Sequence, residues 1–193
     1  MTTAIIGHTG LVGSWLLEAY PHAACFNSKN SENMENQHFH TIICAGVSAV
    51  KWECNKYPAV DKAAIEKLKN SLKTMKCTNF VLISTIDVYP ISNSRLDEVH
   101  EIRASQHTKE SHYGRHRLQL ETELRQDMNE SCDNFYIVRL CGLFGHALKK
   151  NLIFDYTQGL LASVSQLGSF QWYSLQWLAT DLKRILGQVK QLT

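Results

Sequence analysis

Tyr113 and Arg117 stand four residues apart in the stretch Tyr113-Gly114-Arg115-His116-Arg117, which opens a helix-forming run. On a helix that spacing puts both side chains on one face. A fixed cation beside a phenol favours the phenolate and draws its pKa below the usual value of about 10. Tyr113 then becomes an acid/base usable near neutral pH. A second group, Ser84-Thr85-Ile86-Asp87-Val88-Tyr89, closes the apolar run Phe80-Val81-Leu82-Ile83. Hydroxyls at the carboxyl end of a strand in an open α/β sheet stand where ligands bind. Proton transfer at Tyr113, with Thr85 holding the oxygen of the reacting group, is the chemistry these residues could do.

A third group opens the chain, where Ala4-Ile5-Ile6 runs into Gly7-His8-Thr9-Gly10-Leu11-Val12-Gly13. A strand turning through glycines into a helix brings backbone amides of the helix N-terminus against an anion. Gly7 permits the tight turn, Gly10 removes the Cβ that would hold a diphosphate away, and Gly13 lets the helix lie close on the sheet. The spacing differs from the G-x-G-x-x-G of ordinary dehydrogenases and from the Walker loop, which ends in Gly-Lys-Ser/Thr. A glycine turn without a ligand is the plain alternative. The order of strand, glycines and amphipathic helix (Leu11, Trp15, Leu16, Ala19) favours a dinucleotide.

Other groups carry less. His112 and His116 share a helical face, but no third ligand follows at a metal-site spacing, so no metal is expected. The aromatic cluster Phe170, Trp172, Tyr173 and Trp177 reads as core or as a contact between two copies.

The elements that must position these residues alternate strand with helix, which predicts a doubly wound parallel sheet in a three-layer αβα arrangement. Strands are expected at 4–6, 23–26, 41–46, 80–84, 135–140 and 169–173. Helices are expected from Leu11, over 59–76, over 111–128, near 150–162 and from Leu175, with polar loops over 27–39 and 90–110. The 193 residues make one substantial core, read as a single domain over the whole chain. A net charge of +2 points to neither nucleic acid nor an acidic membrane surface. No apolar run reaches the roughly 18 residues that span a bilayer. The chain starts straight into a strand, leaving no room for a signal peptide. Six cysteines without paired spacing (Cys25, Cys44, Cys54, Cys77, Cys132, Cys141) read as reduced thiols of a cytoplasmic protein.

These motifs resemble, in order along nearly the whole chain, those of the extended branch of the short-chain dehydrogenase/reductase superfamily. That NAD-dependent epimerase/dehydratase family includes nucleotide-sugar epimerases, dehydratases and 4-ketoreductases. Gly7 through Gly13 is similar to its cofactor loop, and Cys44-Ala45-Gly46 to its x-Ala-Gly after the fourth strand. Ser84 through Tyr89 resembles Ser-Ser/Thr-x-x-Val-Tyr, and Tyr113-x-x-x-Arg117 stands where the family has Tyr-x-x-x-Lys. Arg139-Leu140-Cys141-Gly142-Leu143-Phe144-Gly145 resembles the segment beside the nicotinamide. The resemblance implies a Rossmann-like domain that holds NAD or NADP through Gly7, His8, Thr9, Gly10, Leu11, Val12, Gly13, Cys44, Ala45, Gly46, Ser84 and Arg139. It implies catalysis by Thr85, Tyr113 and Arg117 on a nucleotide-sugar or similar small molecule, in a chain that pairs as a homodimer.

Four departures qualify what the resemblance implies. Arg117 replaces the family's lysine, keeping the charge but not the shape of a point ammonium. The stretch between Gly13 and Cys44 is short, and its second strand ends in Phe26-Asn27-Ser28-Lys29 where NAD-binding members place an acid. Asn27, Ser28 and Lys29 are therefore the adenine-side candidates, with Lys29 inclining the choice to NADP. After Gly145 the residues suffice to complete the core without a large substrate domain. Gly142 in the Arg139 segment is closer to the reductases than to the epimerases. Asp87 occupies the place of a dehydratase carboxylate, while Ile86 stands where the acid beside it would be, so Asp87 is a substrate-site candidate and equally a cap or turn residue. The alternative to an enzyme is a non-catalytic dinucleotide-binding protein, or an accessory subunit, of the same fold.

Overall fold

In a computed structural model of the chain, residues 1–90, 102, 111–160 and 169–188 are described. Five strands, β1 (Thr3–Ile6), β2 (Ala24–Phe26), β3 (His38–Cys44), β4 (Lys76–Thr85) and β5 (Cys132–Leu140), form one sheet in the order β2-β1-β3-β4-β5. Every pairing in it is parallel. Strands buried on both faces read as continuous apolar runs, which is why Ile42-Ile43-Cys44 and Phe80-Val81-Leu82 show no polar alternation. Their side chains divide between two cores. Ala4, Ile6, Ile42, Cys44, Phe80 and Leu82 pack with Ile65 and Leu72 of α3 (Pro58–Leu72) and with Leu120 and Leu124 of α4 (His112–Asp127). Ile5, Ile43 and Val81 pack on the other face with Leu16 of α1 (Leu11–Ala19) and with Leu178 and Leu182 of α6 (Leu178–Gln188). The sheet is thus doubly wound, as expected. The chain reverses direction across β1, with β2 on one side and β3 on the other, and such a switch point opens a crevice at the carboxyl ends of the strands.

Several boundaries differ from the sequence expectation for physical reasons. The helix expected over 59–76 is α3, which starts at Pro58 and ends at Leu72; a further short helix, α2 (Lys51–Lys56), was not expected and is separated from it at Tyr57. Proline has no N–H to lose at a first helical position, so it begins a helix there. Met75 is buried in the turn after α3, not on the helix. The polar stretch 27–39 holds a three-residue-per-turn helix, Ser31–Met34, anchored by the buried Met34, and the start of β3. Strands β4 and β5 begin earlier than their apolar runs, with Asn79 opposite Asn134 and joined to it by a side-chain hydrogen bond of 3.1 Å. The loop expected over 90–110 lies, apart from Pro90 and Ile102, outside the described residues.

Beyond β5, strands β6 (Gly142–Phe144) and β7 (Trp172–Ser174) form a separate two-stranded parallel sheet. The helix expected near 150–162 is α5 (Leu152–Thr157), and residues 161–168 lie outside the described set. A short turn of helix, Leu175–Trp177, precedes α6. Of the aromatic cluster, Phe170, Trp172 and Trp177 are exposed, while Tyr173 donates its hydroxyl to Asp181 at 2.7 Å. All six cysteines are free thiols, with Cys44, Cys54 and Cys77 buried. Among the described residues no helix is long and apolar enough to cross a membrane.

Candidate active site

The glycine turn sits at the switch point. Gly7 takes a left-handed φ of +84°, its amide donates to the Phe26 carbonyl at 2.8 Å, and a Cβ there would strike the Ala45 carbonyl. A Cβ on Gly13 would strike the Gly7 carbonyl. These two glycines are therefore fixed by the contact of β1, the Ala45-Gly46 turn after β3, and α1. Gly10 differs. It is the N-cap of α1, and a Cβ there would meet only the Gly7 carbonyl, at 3.4 Å. Among the described residues nothing else comes near the space a Gly10 side chain would take, and the first amides of α1 have no partner within the helix. An open cradle over unpartnered amides suits a diphosphate, so the residues present fit a dinucleotide. His8 is turned inward, its Nδ1 3.1 Å from the Phe26 carbonyl, while Thr9 is exposed.

On the adenine side the loop after β2 is shaped by its own asparagines. Asn27 Oδ1 accepts from the Lys29 amide at 2.8 Å, and Asn30 Oδ1 accepts from the Asn27 amide at 2.7 Å. This leaves Ser28 and Lys29 exposed beside the end of β2, with Lys67 donating to the Ser28 carbonyl at 3.2 Å.

The second half of the site is built where β4 ends. Thr85 Oγ1 accepts from the Asp87 amide at 3.1 Å and donates to Asp87 Oδ2 at 3.2 Å, holding a turn of helix at Ile86–Val88. Helix α4 starts directly against this turn. A Cβ on Gly114 would strike the Asp87 carbonyl, so glycine is what lets the helix come so close. Ser111 caps α4, accepting from the Gly114 amide, and Asn55 of α2 accepts from the Tyr113 amide at 3.0 Å. Tyr113 is thereby brought to the turn after β4, within electrostatic reach of Asp87, and the Arg117 guanidinium lies 4.5 Å over its ring.

The charge around Tyr113 is not what the spacing alone implied. Arg117 is buried and already partnered: it donates to Asp61 Oδ1 at 2.8 Å, to Asp61 Oδ2 at 2.9 Å and to the Ser48 carbonyl at 2.7 Å. Burial pushes the Tyr113 phenol above its ordinary value of 10.0; Arg117 pulls it down, and Asp87 and Asp61 push it up again. The expected acidified phenol is thus corrected to one that holds its proton. Asp61 was missed by the sequence reading, although it lies on the buried stripe of α3 with Ile65 and Leu72. Burial would raise its carboxyl, but hydrogen bonds from Arg117, Cys54 and His116 win and hold it at about 2. His116 Nδ1 lies 2.7 Å from Asp61 Oδ2 and 3.8 Å from Cys54 Sγ. Burial keeps His116 below its ordinary pKa and the Cys54 thiol up at about 12. His116 thus acquires two neighbours with metal-binding side chains from α2 and α3, which no sequence spacing showed. Both oxygens of that carboxylate are engaged by the guanidinium.

Ser84 and Arg139, expected to line the cofactor site, converge on Glu121, a buried residue of α4 that the sequence reading also missed. Ser84 donates to Glu121 Oε1 at 2.5 Å, and Arg139 reaches Glu121 Oε2 at 2.8 Å and the Tyr89 hydroxyl at 3.0 Å. Asp87 pairs with Lys51 of α2, another residue outside the sequence expectation. Gly142 starts β6, and Gly145 packs against Trp15 of α1, whose ring stacks on His146 at 3.8 Å. Cys44, Ala45 and Gly46 lie at the carboxyl end of β3, with Gly46 exposed beside the glycine turn.

No family model matches the chain, and no curated protein matches it in sequence. Solved structures do match. The fold superposes on UDP-N-acetylglucosamine 4-epimerase from Bacillus cereus with a TM-score of 0.70 and 16% identity, covering 97% of this chain and 74% of that one. For dTDP-4-dehydrorhamnose reductase from Yersinia enterocolitica the TM-score is 0.70 at 14% identity, with 97% and 71% covered. For MoeE5, solved in complex with UDP-glucuronic acid and NAD, it is 0.71 at 14% identity, with 95% and 71% covered. At these identities what is shared is the fold. It is the Rossmann-like fold that the motif resemblance implied.

Proposed function

We propose that the chain is an NAD(P)-dependent oxidoreductase or epimerase acting on a nucleotide-sugar or similar hydroxylated substrate, with Tyr113 as its acid/base. The observation that carries this is the convergence at one edge of the sheet. The open Gly10 cradle after β1, the Thr85 turn after β4 and the Tyr113 end of α4 all lie at the carboxyl ends of parallel strands. The neighbours solved with nucleotide-sugars and NAD add support for the substrate class. The exposed Lys29 after β2 favours the 2′-phosphate of NADP.

The bound nicotinamide would supply hydride exchange at its C4. The chain's own residues do the rest. The first amides of α1 and the bare Gly10 hold the diphosphate. Tyr113 carries the proton that a substrate oxygen gains or loses. A threonine hydroxyl has one donor and two acceptor positions. Thr85 spends the donor and one acceptor on Asp87, so a lone pair remains to accept from a substrate hydroxyl.

Calorimetric titration with NAD, NADH, NADP and NADPH, followed by a turnover screen with nucleotide-sugars, tests the reading. Micromolar binding of one cofactor pair is expected, and Tyr113→Phe should abolish turnover while leaving that affinity largely intact. Failure to bind any of the four overturns it. Tight binding with no turnover from any nucleotide-sugar would assign the chain instead to non-catalytic dinucleotide binding.

A further inference from the structure

Asp61 belongs to none of the motifs at the sheet edge, yet it is the hub on which that side of the site turns. Its side chain is 5% exposed and that of Arg117 4% exposed, so neither charge is shared with water. Two parallel N–H···O bonds hold the guanidinium plane in one orientation, as a fork matches a carboxylate. The third contact, to the Ser48 carbonyl, fixes it from the loop after β3. In that orientation its carbon lies over the Tyr113 ring face. A lysine at position 117 could present one ammonium to a phenol; this arginine presents a charge already met by a carboxylate.

We propose that Asp61 is a positioning residue of the Tyr113 site: its carboxylate clamps the Arg117 guanidinium against the Tyr113 ring and offsets the positive charge that the ring faces. This rests on Tyr113 being the acid/base. The groups facing the couple come from four elements: Arg117 and His116 from α4, Asp61 and Lys62 from α3, Cys54 and Lys51 from α2, and Asp87 from the turn after β4. Lys51 is spent on Asp87, and His116 is neutral and bonded to Asp61. A protonated phenol serves carbonyl reduction. The substrate's carbonyl oxygen takes the Tyr113 proton while its carbon receives a hydride from a reduced nicotinamide. The carbonyl becomes an alcohol, the nicotinamide is oxidised, and the phenolate regains a proton from water.

The test follows the Tyr113 Cζ signal by NMR in protein carrying carbon-13 tyrosine, identified by its loss in Tyr113→Phe, as pH is raised. Asp61→Asn should lower the Tyr113 midpoint by about one pH unit, because it removes a negative charge and leaves the guanidinium uncompensated. Asp61→Glu, which restores the carboxylate, should return it towards the unsubstituted value. An unchanged or raised midpoint in folded Asp61→Asn overturns the proposal. Should Asp61→Asn not fold, the unsubstituted protein decides. Separate proton signals from the two Arg117 Nη groups, the mark of blocked rotation, are expected, and a single averaged signal overturns the clamp. Neither readout needs substrate or cofactor. Loss of the activity reading through unaltered turnover in Tyr113→Phe is therefore a different result from loss of the clamp.

Discussion

Gly7, Gly10 and Gly13 are three equivalent letters in a spacing pattern, but each answers to a different constraint. Gly7 needs its left-handed φ and its contact with Ala45, and Gly13 needs the contact with the Gly7 carbonyl. Gly7→Ala and Gly13→Ala should each destabilise the protein by about 1–3 kcal/mol, through backbone strain at the first and overpacking at both. A methyl on Gly10 meets one carbonyl oxygen at ordinary contact distance. Gly10→Ala should therefore leave the thermal midpoint nearly unchanged and weaken dinucleotide binding about tenfold, a loss of about 1.4 kcal/mol. Paired melting curves and titration calorimetry separate the two effects. A Gly10→Ala protein that melts early but binds normally would mean the position is structural like its neighbours.

At the scale of elements, the site depends on α4 lying hard against the turn after β4. Gly114→Ala places a methyl against the Asp87 carbonyl, and the helix must retreat. The expected cost is about 1–3 kcal/mol in urea unfolding, together with a loss of turnover larger than any loss of cofactor affinity, because only the Tyr113 half of the site moves. The strands, the glycine turn and α4 were legible because each signal is local: continuous apolar runs, glycines in register, a capped amphipathic helix. The partners of the charged residues were not. Arg117 and Glu121 sit on the same stripe of α4 as Tyr113, Leu120 and Leu124, and Asp61 sits on that of α3. A charge on a buried stripe announces a buried pair. Which pair forms depends on α3 lying beside α4, and Arg117 and Asp61 are 56 residues apart in sequence. The same non-locality hid Glu121 as the partner of Ser84 and Arg139, since β4, β5 and α4 meet only in the folded sheet.

For the whole molecule, these buried groups make stability a function of pH in two separable steps. His116 has its folded pKa depressed below 6.5, mainly by burial. As pH falls through 6.5 the unfolded chain takes up a proton at this position that the native chain refuses, so stability present above that pH is lost below it. Asp61, depressed from 3.8 to about 2, behaves with the same sign at lower pH: its contribution is complete above 3.8 and disappears as pH falls towards 2. Each group contributes a slope of at most about 1.4 kcal/mol per pH unit within its own window. His116→Asn retains a side-chain donor near Asp61 but has nothing to titrate. Urea unfolding of the unsubstituted protein at pH 7.5, 6 and 5 should show a decline that His116→Asn reduces by one proton's worth, while the loss below about pH 4 persists in both. An identical decline between pH 7.5 and 5 in the two proteins would mean that His116 titrates alike in the folded and unfolded chain, and that it is not held neutral against Asp61.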